Sequence, residues 1–416
     1  MTAAIFTATY LGLALGRIPK LRTDRAGIAF AGAGLMLCTG VLTLAQAVSP
    51  DSIDYETLFL LFGMMVMVGF LRLSGFFGRV THGMLDRIRT PRGLLAAIIL
   101  LAGLLSAFLV NDIVCLALTP LVIHIARRLN INPLPHLIGL ATASNIGSVG
   151  TITGNPQNMI IGVQSKISYG SFAVHLMPVA LLGLVIDFLV IAMIYRSTLA
   201  RSTVETDAFI VGERNPSPTR RCAVLVWLQW KTVAVALLMI VLFLAGLPMA
   251  VVAAGAAAVL FMERVKPERV YGEIDWSLLL MFIGLFIVVH GFQVQVVSRW
   301  GIDGWGFLLK HPIGLLSLTS AGLSNLVSNV PAVLLFEPVL RAMPAFSRQS
   351  AWLALAMSST LAGNLTILGS VANLIVVEKA RRAGNSITFW EYCKAGVPVT
   401  FLTLGIGIAW LLFASN

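Results

Sequence analysis

The sequence predicts an all-α polytopic membrane protein of inverted repeats, with two re-entrant helical hairpins and two broken transmembrane helices. Composition, long apolar segments and a weak internal repetition carry that reading. Of 416 residues, 58% are apolar and 11% charged, whereas soluble domains run at ~45–50% and ~25%. Such a chain cannot cover itself with polar surface, so a bilayer is its solvent. A cytosolic enzyme, a nucleic-acid partner and a disordered scaffold are excluded, and the net charge of +11 reads as basic cytoplasmic loops. Cys38, Cys115, Cys222 and Cys393 form no close-spaced pair, so neither a zinc site nor a redox motif is indicated. Met1 to Gly16 lacks a basic leader region and an obvious cleavage site, and reads as a retained first span.

A membrane-crossing helix needs ~20 mostly apolar residues. Segments near 2–16, 27–47, 56–71, 136–165, 172–195, 226–245, 248–262, 276–291, 350–377 and 395–413 read as ten spans. Segments 93–126 and 312–340 instead carry polar centres, Asn111-Asp112 and Ser328-Asn329, and each half is short for a crossing. They read as re-entrant hairpins, which are tolerated only inside protein or against a water-filled cavity. With both treated so, 24 of 29 basic residues fall inside, and only Lys166, Arg299, Lys310, Arg341 and Arg348 fall outside. Both termini then lie outside, in a bacterial inner membrane. Pairs of full spans in place of the hairpins would preserve that orientation.

The chain repeats itself in order. Asp54 to Gly63 and Asp275 to Gly284 are each nine residues, as are Asn111 to Pro120 and Asn329 to Pro338. Gly154 to Asn158 and Gly369 to Asn373 are each four. The offsets are 221, 218 and 215. An odd number of spans separates Asp54 from Asp275, so the repeats are expected to be inverted, as in secondary transporters. The expected division is N-terminal spans 1–52, a first repeat 53–198, a cytoplasmic loop and linking spans 199–273, and a second repeat 274–416.

The expected solute site is made by the hairpin tips, Asn111, Asp112, Ser328 and Asn329, together with two interruptions, one within 136–165 and one within 350–380. In the first, Asn145, Ser148, Thr151, Gly154, Asn155 and Asn158 lie among glycines and Pro156, a composition that breaks a lipid-facing helix. In the second, Asn364, Thr366, Gly369, Ser370 and Asn373 do the same without a proline. Broken helices present half-helix ends and free backbone groups to a ligand. The alternative is small-residue helix packing.

Asn111-Asp112 with Pro120, Asn145-Ile146-Gly147 and Gly154-Asn155-Pro156-Gln157-Asn158 resemble the ion transporter superfamily. That group holds arsenite permeases, one class of sodium/proton antiporters, the melanosomal P protein and divalent-anion/sodium symporters. Ser328-Asn329-Val330-Pro331 and Gly369-Ser370-Val371-Ala372-Asn373 match its second-half motifs. The stretch through Gln164 to Gly170 is most similar to plant silicon efflux transporters and their arsenite-permease relatives. The resemblance covers residues 53 to 413. It implies a scaffold that often dimerises and a transport part of two opposed hairpins and two broken helices. In the sodium/dicarboxylate branch, Ser-Asn-Thr at each tip meets sodium and carboxylate. Here both threonines are missing, and Asp112 repels a dianion. An external ATPase accompanies some arsenite permeases and would be a further partner.

Asp112, at a hairpin tip, is the expected coupling carboxylate, with helix capping as the alternative. Glu337 is expected near the outer interface, solvated, and Asp187 has no duplicated counterpart. His124 is expected near the surface beside Arg127, and His290 at the outer end of its helix. No HExxH pair and no phosphate-binding Gly-rich loop occurs, so no enzyme activity and no resident cofactor are expected. The expected function is export of a small metalloid oxyacid, arsenite or silicic acid, in exchange for protons or sodium. The alternatives are a sodium/proton antiporter, a coupled anion transporter of the same fold, or a passive channel.

Overall fold

The computed structural model describes residues 1–15, 23–85, 90–200, 220–297, 311 and 313–414. The basic residues Arg17, Lys20, Arg22, Arg87, Arg89, Arg299 and Lys310, and residues 201–219 of the expected loop and linking spans 199–273, lie outside them. Every regular element among the described residues is helical.

Six described helices are long and apolar enough to cross a membrane: Tyr55–Leu73, Pro91–Phe108, Tyr169–Ile194, Val226–Leu244, Trp276–Val296 and Phe389–Ala414. Three segments expected as full spans are shorter: Thr2–Leu15, Arg25–Cys38 and Met249–Phe261. The 27–47 segment is divided because Gly40, at φ +71°, ends the first helix. A capping box of Thr43 and Gln46 then starts a separate turn, Leu44–Ala47.

Both polar-centred segments fold as helical hairpins. The first has arms Pro91–Phe108 and Asn111–Arg128. Thr90 caps its entry by accepting from the Gly93 N–H (3.1 Å), with Pro91 in the first turn. Extended Leu109 and Val110 then reverse the chain. The second has arms Gly314–Val327 and Asn329–Ala342, joined through Ser328. Ser328 stands at φ 80°, ψ 160°, a region nearly reserved for glycine.

Both broken helices are present, as Leu134–Ser148 with Pro156–Ser165, and as Ala345–Ala362 with Val371–Arg382. Each break holds one 3-10 turn, Ile152–Gly154 or Ile367–Gly369. Each resumes helix at an extended capping residue, Asn155 or Ser370.

Two pairs of crossed helices frame these elements. Tyr55–Leu73 crosses Met249–Phe261 where Gly63 meets the Ala253 backbone, and Trp276–Phe292 crosses Arg25–Cys38 where Gly284 meets the Ala29 backbone. A side chain at either glycine would force the helices apart. Asp54 accepts from the Thr57 N–H and Asp275 from the Leu278 N–H, both at 3.0 Å, at almost equal backbone angles. The same caps and crossings thus recur in both halves of the chain.

Candidate functional site

The two breaks are held open by matching asparagines. Asn158 donates from Nδ2 to the Ser148 and Thr151 carbonyls, both at 3.0 Å. Asn373 donates from Nδ2 to the Gly363 and Thr366 carbonyls at 2.7 and 3.0 Å. These carbonyls lose their helical partners where the chain unwinds, and each amide satisfies two of them. Gly154 and Gly369 lie within the loops so formed. A Cβ on Gly154 would run into the Ser148 carbonyl, and one on Gly369 would sit 2.9 Å from the Gly363 carbonyl and Asn325 Oδ1.

A relay of amides starts from this point. Asn373 spends its NH2 on carbonyls, so its Oδ1 is an acceptor. Asn145 donates to it at 3.0 Å and to Asn364 Oδ1 at 2.8 Å. Asn145 Oδ1 therefore faces the other way, accepting from Ser370 Oγ and Asn111 Nδ2, both at 3.0 Å. Asn111 has then committed its donor, and its buried Oδ1 has no protein partner. On the other side, Thr360 Oγ1 accepts from Asn155 Nδ2 and Gln157 Nε2, both at 3.2 Å, and donates to Asn158 Oδ1 at 3.5 Å. Asn145 and Thr360 thus each reach from one broken helix into the break of the other.

Both hairpin tips meet this core. A cavity of about 560 Å³ is lined at its deep end by Asn111, Asp112, Gln157, Asn325, Asn329 and Ser370. Ser328 also lines it, and its mouth carries Asp24, Arg25 and Asp275. Asn329 Oδ1 accepts from Ser324 Oγ at 2.6 Å. Asn325 donates to the Ala321 and Ala362 carbonyls at 3.1 and 2.9 Å, which leaves its buried Oδ1 without a partner. Asp112 lies in the first turn of its arm and beside Ala372, in the first turn of Val371–Arg382, so two helix N-termini converge on it. It does not cap its own arm: Val110 holds that position, with no side-chain bond.

The expected site residues therefore fall into two layers. Asn111, Asp112, Ser328, Asn329 and Ser370 face the cavity. Asn145, Asn364 and Asn373 lie behind them, while Ser148, Thr151, Gly154, Asn155, Asn158, Thr366 and Gly369 shape the breaks. Gln157, Ser324, Asn325 and Thr360 belong to the same network and were missed. For Thr360 a signal existed: it stands 215 residues after Asn145, the offset of the Gly154 and Gly369 pair.

A second cavity, of about 320 Å³, lies at the opposite end, among Asp51, Asp54, Gln164, His290, Glu337 and Arg341. It does not include the hairpin tips. Gln164 Nε2 donates to Asp54 Oδ2 at 2.7 Å, and Arg341 bonds Gln164 Oε1 and Glu337, the latter at 2.8 Å. Glu337 is thus not solvated as expected: it is 8% exposed and balanced by Arg341 one helical turn away. His124 and Arg127 share a third cavity with Glu378 and Lys379, as the sequence reading expected of a surface position.

Comparison with known proteins agrees with this architecture. The family model described as citrate transporter (CitMHS) matches residues 10–362. The silicon efflux transporter LSI3 of Oryza sativa subsp. japonica is 31% identical, over 94% of this chain and 93% of its own. The putative transporter arsB of Dictyostelium discoideum is 25% identical, over 93% and 87%. The crystal structure of the Alcanivorax borkumensis YdaH transporter, described as having an unusual topology, superposes with a TM-score of 0.57 at 14% identity. It covers 99% of this chain and 95% of that one, a likeness of fold alone. A multi-pass membrane protein with these motifs, this fold and this match belongs to the citrate transporter (CitMHS) family, within the ion transporter group.

Proposed function

We propose that the chain is a secondary active transporter that exports a small neutral metalloid oxyacid, arsenite or silicic acid, in exchange for protons or sodium. The observation that carries the reading is the chemistry at the cavity's deep end. Asn111 Oδ1 and Asn325 Oδ1 are buried acceptors without partners, and Asp112 adds a carboxylate. Such a site needs a solute that brings donors. Arsenite and silicic acid carry several O–H groups, whereas ionised citrate is mainly an acceptor and would meet Asp112 as a like charge. Arg25, the one basic residue among those lining the cavity, sits at its mouth beside Asp24.

The basic-loop reading puts Arg25 on the cytoplasmic side of a bacterial inner membrane. The cavity is then open inward, and the Asp54, Gln164, Arg341 and Glu337 cluster closes the outside. Alternating access follows if the two halves are inverted repeats that exchange these states. The duplicated caps and breaks support that relation. A second reading, sodium/proton antiport, draws on Asp112 and Asp275 lining one cavity.

Ligand-induced stabilisation of the purified protein separates these. A ligand at 100 times its Kd stabilises by about 2.7 kcal/mol. Arsenite or silicic acid should raise the melting temperature, and citrate should not. Stabilisation by citrate alone would overturn the assignment, and stabilisation by sodium alone would favour the antiporter.

A further inference from the structure

Behind the solute site lies an acidic residue that the transport reading leaves unused. Asp187 is 0% exposed, in the helix Tyr169–Ile194. Neither carboxyl oxygen accepts a hydrogen bond, and none of the ion pairs among the described residues includes it. An ionised carboxylate in that setting is strongly disfavoured, so its charge must be cancelled by something bound.

The neighbours identify what. Thr142 supplies a neighbouring hydroxyl. Its own proton is committed to the Ile138 carbonyl at 2.9 Å, so it turns lone pairs toward the carboxyl. Tyr392, on the helix Phe389–Ala414, lies within electrostatic reach, and its buried hydroxyl also lacks a partner. The other titratable groups around Tyr392 are Cys115, whose thiol donates to Ser144 at 3.0 Å, and Cys393. On the other packed helices, His136 bonds the Pro91 carbonyl and Lys231 pairs with Glu263. Arg92 and Arg348 stand in the first turns of theirs. A metal ion would need several converging oxygens, whereas a proton needs one acceptor, and Thr142 offers one.

We propose that Asp187 is a proton-binding site of the transporter, buried behind the solute site and separate from Asp112. The proton sits on a carboxyl oxygen and is donated to Thr142 Oγ1. When released, it passes to water at the end of the helix, seven residues or ~10 Å away at Ile194. The adjoining Tyr195 hydroxyl donates there to the Glu391 carbonyl, next to Tyr392. The link to the solute site is short. The Thr142 carbonyl accepts from Asn364 Nδ2 at 3.2 Å, and Asn364 Oδ1 accepts from Asn145. A charge appearing at Asp187 would therefore act on the amide relay that orients Asn111. The coupling role rests on the transport reading; the protonation itself does not.

Infrared spectroscopy of the purified protein at neutral pH tests the protonation. The wild-type-minus-D187N difference should contain the carbonyl stretch of a protonated carboxylic acid, sensitive to D2O. T142V, which removes the acceptor but keeps the shape, should shift that band, and this arm holds even if D187N fails to fold. A wild-type band that neither variant moves overturns the proposal. So does a band that appears only when sodium is removed, which would make Asp187 a cation site. In proteoliposomes, D187N should retain solute binding while its transport loses most of its pH dependence. Binding retained with the wild-type pH profile overturns the coupling role alone, and absence of solute binding in the wild type counts against the transport reading instead.

Discussion

Asn145 and Thr360 stand 215 residues apart, at matching positions of the two broken helices, and each hydrogen-bonds into the break of the other. Each half of the chain therefore holds the other half's break in shape. Asn145→Ala would strip the donor from Asn364 and Asn373 and the acceptor from Asn111. At about 1–3 kcal/mol per stranded buried group, it should be among the most destabilising polar substitutions in the chain. Thr360→Val keeps the shape but strands the Asn155 and Gln157 amides, and should cost about 1–3 kcal/mol. Denaturation in detergent measures both; wild-type stability in both would contradict the cross-bracing.

The hairpin tips should matter more for solute than for folding. Asn111→Ala removes an unpartnered acceptor and one of the two donors to Asn145 Oδ1, which keeps Ser370 Oγ, and Asn329→Ala removes a partner of Ser324, whose hydroxyl keeps the Ser359 carbonyl. Each should weaken solute affinity by about tenfold, from ~1–1.5 kcal/mol of lost hydrogen bonding. Titration of the purified variants checks this, and unchanged affinity in both would remove the tips from the site.

Asp112→Asn keeps size while removing the charge beside the Ala372 N–H. If Asp112 couples the fluxes, the variant should bind and exchange solute but no longer concentrate it against a gradient. Gradient-driven accumulation with wild-type pH dependence would make Asp112 structural.

Ser328 carries backbone strain at the second tip. Ser328→Gly should be tolerated, relieving up to about 1–3 kcal/mol, whereas Ser328→Val should destabilise. Melting temperatures of the pair decide. Equal effects of glycine and valine would mean that the tip relaxes freely.

The cluster at the far end should act as an outer closure. Arg341→Ala breaks its bonds to Gln164 and Glu337. In a cysteine-free background carrying Ser328→Cys, it should raise labelling by an impermeant thiol reagent added from outside. No change in labelling would show that this cluster does not hold the outside closed.

Much of this was legible in the sequence, for a definite reason. A break inside an apolar helix requires glycine and amides, so Gly154 to Asn158 and Gly369 to Asn373 announce themselves, and repetition at one offset pairs them. Thr360 and Ser324 did not stand out, because a lone hydroxyl in a helix more often bonds its own preceding turn, as Thr142 and Ser358 do here. Glu337 was read as solvated because distance from a tip says nothing of a partner one turn away. The orphaned oxygens of Asn111, Asn325 and Asp187 were invisible, since an unmet hydrogen bond is a property of packing.

Flux through reconstituted liposomes separates coupled export of a neutral oxyacid from the alternatives. Arsenite, silicic acid and citrate should be offered with an imposed pH gradient, an imposed sodium gradient, or neither. Arsenite or silicic acid should accumulate against its own gradient when one ion gradient is present, and should only equilibrate when both are collapsed. Solute movement indifferent to both gradients would make the protein a channel, and accumulation of citrate in place of the neutral acids would contradict the assignment of the site.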